Sequence, residues 1–157
     1  MSLIVEDVHG LEFQNNYLNS ISVRYEMVRP LIVDDDPMAV KLVQGTLRLV
    51  GMHDMGIASD GMEALSILEQ EEGNFQLIVS DWNMPKINGL EFLKTVRELY
   101  PSIPFIMLTS QSTVHQVMKA KNCGVDGYVI KPIRLATLRQ KVETVIEYNL
   151  ASVFGAF

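Results

Sequence analysis

Beyond residue 30, short runs that are apolar at nearly every position recur at intervals: Leu31-Ile32-Val33, Met55-Gly56-Ile57-Ala58, Phe75-Gln76-Leu77-Ile78-Val79, Pro104-Phe105-Ile106-Met107-Leu108 and Tyr128-Val129-Ile130. A strand wetted on one face alternates apolar and polar residues, so runs without alternation indicate strands covered on both faces, as in parallel sheets. Between them stand apolar residues at helical spacing: Val43, Leu47 and Val50; Ala64, Leu65 and Leu68; Leu93, Val96 and Tyr100; Val114, Val117 and Met118; Leu138, Val142, Val145 and Ile146. Met55–Ala58 is the weakest of the strand signals. A chain that repeats strand and helix in this way has few options, because the crossovers are right-handed and the helices must cover both faces of the sheet.

The punctuation agrees with the rhythm. Asp36-Pro37 reads as an N-cap followed by proline in the first helical position, and Gly51 as the stop of that helix. Five βα units suit a flavodoxin-like (βα)5 doubly wound α/β fold, with parallel strand order 2-1-3-4-5 and the switch point between strands 1 and 3.

At 157 residues, with 48% hydrophobic and 20% charged residues, the chain is one soluble globular domain with a real core. A net charge of -6 argues against a nucleic-acid surface and toward protein partners. Cys123 is the single cysteine, which excludes an intrachain disulfide and a cysteine zinc site and assigns that side chain to core filling. His9, His53 and His115 show no metal-ligand spacing and receive no role. No apolar stretch reaches the roughly 20 residues of a membrane span, and Glu6 and Asp7 stand where a signal peptide would be basic. The expectation is a cytoplasmic protein without membrane insertion.

Residues 1–29 lie outside the strand–helix rhythm and form an N-terminal extension without an assigned role, opening on Met1-Ser2-Leu3 of a kind that expression vectors leave. Within it, residues 21–28 alternate like a strand, while Leu18, Ile21 and Tyr25 also share a helical face. Residues 30–150 form the domain and 151–157 a tail.

The chemistry concentrates at strand ends. Strand 1 runs into Asp34-Asp35-Asp36, and strand 3 into Asp81. In the expected order these are neighbouring strands about 4.8 Å apart, so Asp34 or Asp35 shares a crevice with Asp81. Like charges at 4 Å repel by about 4 kcal/mol at an effective dielectric of 20, so a cation or a proton must sit among them. Strand 5 delivers Lys131 to the same edge and strand 4 delivers Thr109. Each alone has an ordinary explanation: a turn aspartate, a capping run, a solvated lysine, a strand-end threonine. Acid, acid, hydroxyl and amine converging from separate strands do not.

Oxygen ligands without histidine or cysteine favour a hard divalent cation, Mg2+, with Mn2+ an acceptable substitute, and magnesium usually keeps room for phosphate oxygens. A carboxylate attacking a phosphoryl group needs positive charge to approach an anion. Asp81 is then the nucleophile, Asp34 and Asp35 hold the metal directly or through water, Lys131 pairs with phosphoryl oxygens, and the Thr109 hydroxyl donates to one of them.

"LIVDDDP" (31–37), "SDWNMPKINGLEFLK" (80–94), "MLTS" (107–110) and "GYVIKP" (127–132), in this order, make the chain resemble the receiver domain of two-component response regulators, particularly the lone receivers of the chemotaxis (CheY-like) type. The resemblance covers residues 30–150. It implies that Asp81 is the phospho-accepting aspartate, that Asp34 and Asp35 are the acidic pair of the magnesium site, and that the Asn83 backbone carbonyl completes the metal shell. It further implies that Thr109 is the switch hydroxyl, Tyr128 the aromatic whose rotamer follows it, Lys131 the lysine that pairs with the phosphoryl group, and Lys131–Pro132 a cis peptide. By the same resemblance a sensor histidine kinase, a phosphotransfer protein or a small acyl phosphate supplies the phosphoryl group. The surface of helix 4, strand 5 and helix 5, roughly residues 112–149, is read by a downstream effector. Such a protein is a signalling phosphoacceptor that catalyses only its own phosphorylation and dephosphorylation, and Asn83 stands where the family tunes the latter.

Two features depart from the receiver pattern: the extension of residues 1–29, and the lack of a recognisable DNA-binding output domain after residue 150, which speaks against direct gene regulation. Three other readings compete. A haloacid dehalogenase-like phosphatase would use Asp34 as nucleophile with Asp36 as its partner, but Pro37-Met38 departs from that pattern and the chain has no room for a cap. A receiver-shaped binding module would never be phosphorylated. A flavodoxin proper would want amides and hydroxyls for a flavin phosphate where this chain has acids.

Overall fold

The computed structural model describes residues 24–110, 113–149 and Val153. Its elements are β1 (Pro30–Val33), α1 (Pro37–Val50), β2 (Gly56–Ala58), α2 (Gly61–Gln70), β3 (Leu77–Asp81), α3 (Gly89–Leu99), β4 (Phe105–Thr109), α4 (Val114–Asn122), β5 (Gly127–Ile130) and α5 (Leu135–Tyr148). The strands form one parallel sheet in the order β2-β1-β3-β4-β5, the flavodoxin-like topology expected from the strand–helix repeat.

Successive residues of a strand face opposite sides of the sheet, and β1 divides accordingly. Ile32 joins Val79 and Ile106 under Val43 and Leu47 of α1 and Leu138 and Val142 of α5. Leu31 and Val33 join Ile78 under Ala64 and Leu68 of α2 and Phe92 and Leu93 of α3. Every residue of β1, β3 and β4 is buried, which is why their sequences do not alternate. The first helix begins and ends as its punctuation predicts: the Asp36 carboxylate accepts from Met38 N at 3.0 Å, and Gly51, at φ 118°, donates to the Leu47 and Arg48 carbonyls.

All five strands differ from the hydrophobic runs by a residue or two. Pairing in β3 starts at Leu77 and extends through Asp81, two residues beyond the run that starts at Phe75. Phe75 is buried with the Arg29 guanidinium 4.5 Å from its ring centroid, and the Gln76 side-chain oxygen accepts from Arg29 N at 2.9 Å. Apolarity reports burial, whereas a strand is defined by its ladder. β4 likewise starts after Pro104, which has no N–H to give, and β1 admits Pro30 only as its first residue.

Helix α4 buries little of its apolar stripe of Val114, Val117 and Met118: Val114 is 80% and Met118 47% exposed, and Ala120 is its one fully buried residue. Cys123, just after it, is partly buried against the α2/α3 core, in keeping with a filling role.

Of the N-terminal segment, Arg24–Glu26 forms a helical turn, and Tyr25 and Val28 are buried in the α1/α5 core. Val153 packs against the same core. Residues 1–23, Gln111 and Ser112 at the start of the expected partner face, and the tail apart from Val153 lie outside the described residues. No helix among the described residues is long and apolar enough to cross a membrane.

Candidate metal centre and phosphoryl site

The register of the sheet builds the site. Val33 pairs with Ser80, so Asp34, the next residue, lands beside Asp81, the last residue of β3. Asp81 pairs with Leu108, so Thr109 ends β4 one residue further out, and Thr109 O accepts from Lys131 N at 2.8 Å just past β5. The sequence-predicted acids, hydroxyl and amine therefore meet at the carboxyl edge of the central strands, at the switch point.

Asp34, Asp35 and Asp81 each bring a carboxylate oxygen within 4.8 Å of the others. Asp34 and Asp81 are buried, at 3% and 6% exposure, and Asp35 faces solvent. Asp34 is fixed on three sides: its amide donates to Ala58 O at 3.1 Å, its Oδ1 accepts from Asp36 N at 2.9 Å, and its Oδ2 is 3.4 Å from Lys131 Nζ. Lys131 Nζ also lies 3.2 Å from Asp81 Oδ1. The Lys131–Pro132 peptide is cis.

Burial, and then the charge of Asp34, push the Asp81 carboxyl above the usual carboxylate range, while Lys131 and the Trp82 amide pull the other way. For Lys131 burial opposes the ammonium, but Asp81 and Asp34 outweigh it and hold its pKa above that of an ordinary lysine. One lysine thus faces three carboxylates, and the balance remains negative.

This arrangement fits a hard divalent cation. The donors are all oxygens, one acid is open to solvent, and the repulsion registered at Asp81 is of the kind a cation relieves. Asn83, two residues past Asp81, is exposed in the β3–α3 loop.

Thr109 is fully buried and its hydroxyl shares a hydrogen bond with that of Tyr128. Tyr128 is half-buried, and its phenol is pushed above its ordinary pKa by burial, with Thr109 opposing. Its ring meets Trp82 edge-on at 6.3 Å between centroids. Trp82 has no role legible in the sequence; the structure buries it to 6% exposure, in contact with the α2/α3 core. Gly89 is a second residue whose role only the structure shows. A Cβ there would lie 2.3 Å from Asp81 O and 2.8 Å from Trp82 Cα, so only glycine lets α3 start so close behind Asp81. Its amide donates to Trp82 O at 2.7 Å. The sequence signal for this was the capping residue Asn88 immediately before a glycine, with Asn88 Oδ1 accepting from Glu91 N at 2.9 Å.

The family model of the response regulator receiver domain matches residues 31–143. The chain belongs to the response regulator receiver family. Chemotaxis protein CheY-3 of Vibrio cholerae is 37% identical over 119 residues, covering 74% of this chain and 90% of the relative. The crystal structure of Vibrio cholerae CheY4 superposes with a TM-score of 0.68 at 33% identity, covering 75% of this chain and 98% of that one. The structure of the CheX–CheY–BeF3–Mg2+ complex from Borrelia burgdorferi contains a chain that matches at TM-score 0.72 and 26% identity, covering 76% of this chain and 89% of that one.

Proposed function

We propose that this receiver domain accepts a phosphoryl group on Asp81 with magnesium held by Asp34, Asp35, Asp81 and the Asn83 carbonyl, and passes the event to a protein partner through α4, β5 and α5. The observation that carries the reading is the cluster of three carboxylates with Lys131 across it. The description of a similar CheY with BeF3 and Mg2+ supports it.

An Asp81 oxygen attacks phosphorus in line with the departing group, forming the Asp81–phosphoryl bond while the bond to the donor breaks and its electrons leave with the donor. The donor is a histidine kinase, a phosphotransfer protein or a small acyl phosphate. Magnesium, when bound, offsets charge on the phosphoryl oxygens. Lys131, already beside Asp81, pairs with one of those oxygens, and Asp34 keeps the lysine oriented. The exposed Asn83 amide, two residues after Asp81, is compatible with water attack and a short-lived signal; a phosphoryl lifetime of many hours would count against that step.

The acyl phosphate replaces a singly charged carboxylate with a group of greater charge and more acceptor oxygens. The Thr109 hydroxyl, now engaged with Tyr128, can turn to such an oxygen, which leaves Tyr128 to repack. Helix α4, anchored by Ala120 alone among its fully buried residues, is the helix that such repacking displaces most cheaply. Exposed Val114, Met118, Ile130 and Leu135 give the α4–β5–α5 face an apolar surface for an effector.

The experiment is mass measurement after incubation with magnesium and a small acyl phosphate. One phosphoryl group should be gained, removed by hydroxylamine, and absent in Asp81→Asn. No gain with a competent donor refutes the reading. Turnover of phosphate esters that survives in Asp81→Asn and disappears in Asp34→Asn would instead favour a phosphatase with Asp34 as nucleophile.

A further inference from the structure

The β3–α3 loop, residues 82–88, is held at its ends by backbone hydrogen bonds, and in its middle Met84 and Ile87 pack against the α2/α3 core. At one end the Trp82 amide donates to Leu108 O at 2.9 Å and its ring is buried; at the other Gly89 closes onto Trp82 O. Among the described residues, the span from Asn83 to Ile87 has a single polar tether: Lys86 Nζ lies 3.2 Å from Asp60 Oδ2. Lys86 reaches it from a left-handed backbone, φ 71°, a conformation that a side-chain-bearing residue adopts only where its surroundings impose it.

Asp60 is built to receive that lysine. It is 6% exposed, and its two oxygens have separate duties: Oδ1 accepts from Glu63 N at 2.8 Å and caps α2, leaving Oδ2 for Lys86. The Glu63 amide, opposed by burial and helped by Lys86, holds the carboxyl below its ordinary pKa, so it stays charged at neutral pH. Beside it, Ile87 lies over Gly61 so tightly that a Cβ on Gly61 would come 2.6 Å from Ile87 Cγ1. An ion pair and an apolar contact from consecutive residues thus seat the loop on the start of α2.

We propose that Asp60 and Lys86 form a clasp that positions the Asn83 loop over the acidic cluster, making both of them positioning residues for magnesium binding. The magnesium half of this rests on the receiver reading above; the clasp itself does not. Its sign separates it from simple electrostatics. Lys86 is a cation on the loop above a cation site, so removing its charge without any loss of position should tighten magnesium binding. Losing the clasp should weaken it.

The test uses the full chain as wild type, Lys86→Met, which keeps most of the stem, and Lys86→Arg, which keeps the charge. Hydrogen exchange of residues 82–88 is measured without metal, and magnesium is titrated by the fluorescence of Trp82, the one tryptophan. Lys86→Met should speed exchange in the loop and weaken magnesium binding by about two- to five-fold, the scale of a partly exposed ion pair. Lys86→Arg should restore both, and all three proteins should melt within about 2 °C of one another. Unchanged exchange in Lys86→Met, or tighter magnesium binding by it, overturns the clasp. A wild type that binds no magnesium removes the receiver chemistry instead, while the exchange comparison still decides whether the loop is clasped.

Discussion

The two ends of the sheet carry charge in opposite ways. At the amino edge Arg97 and Arg29 are matched. Arg97 donates through Nε to Gly124 O at 2.9 Å, through Nη1 to Ile103 O at 2.6 Å and through Nη2 to Asp126 Oδ2 at 2.7 Å, and the same Asp126 oxygen accepts from Phe105 N at 2.8 Å. Arg29 pairs with Glu71 and with Asp54, and lies over Phe75. At the carboxyl edge three carboxylates confront one lysine. Matched charge staples loops to strands; unmatched charge is maintained at a cost to stability and marks the edge that awaits a ligand.

The largest effect should come from unmatching the amino edge. Arg97→Met removes a half-buried guanidinium that satisfies two carbonyls and a carboxylate, and should destabilise the fold by about 2–3 kcal/mol. Denaturant unfolding measures it. Phosphoryl uptake at Asp81 should persist at unchanged rate under conditions where the variant remains folded. If uptake falls with stability intact, the two ends are coupled and the division between them is wrong.

Neither clamp was legible in the sequence, although much else was. The strands and helices, the caps of the first helix and the strand-end positions of Asp34, Asp81, Thr109 and Lys131 follow from local patterns: apolar runs, Asp-Pro, and polar residues at strand ends. The strand order, and with it the convergence of those residues, comes from the precedent of five-stranded doubly wound sheets. Arg97 and Asp126 are 29 residues apart and belong to no periodic pattern, so only the tertiary fold shows that they meet. Trp82 and Lys86 escaped for the same reason, since their partners Tyr128 and Asp60 come from other βα units. Phe75 misled in the opposite direction: it is as buried as a strand residue but serves Arg29 from outside the ladder.

An intermediate effect, of opposite sign, should come from matching the carboxyl edge. The folded Asp81 binds its proton more tightly than the unfolded chain does, so its contribution is greatest below the ordinary carboxylate pKa and is lost as pH rises through the raised folded value. Asp81→Asn escapes that loss. Its melting temperature at neutral pH should exceed that of wild type by about 2–4 °C, corresponding to about 1 kcal/mol, and the gap should close as pH falls below about 4. Magnesium at ten times its dissociation constant should stabilise wild type by about 1.4 kcal/mol and the variant by less. A variant less stable than wild type at neutral pH would mean that Lys131 already balances the cluster.

The smallest effect is expected on α4, where the apolar stripe touches neither end. If Val114 and Met118 were core residues, cutting them back would cost what a Leu138→Ala change on α5 should cost, about 2–5 kcal/mol. At 80% and 47% exposure they have little burial to lose. Val114→Thr with Met118→Gln should therefore change unfolding free energy by no more than about 0.5 kcal/mol and leave phosphoryl uptake at Asp81 intact. The same double variant should lose affinity for any effector that reads α4, β5 and α5, because it removes apolar surface that the fold itself does not use. A stability loss above about 1 kcal/mol would return the stripe to the core, and α4 would then be a poor element to move when Thr109 turns toward the phosphoryl group.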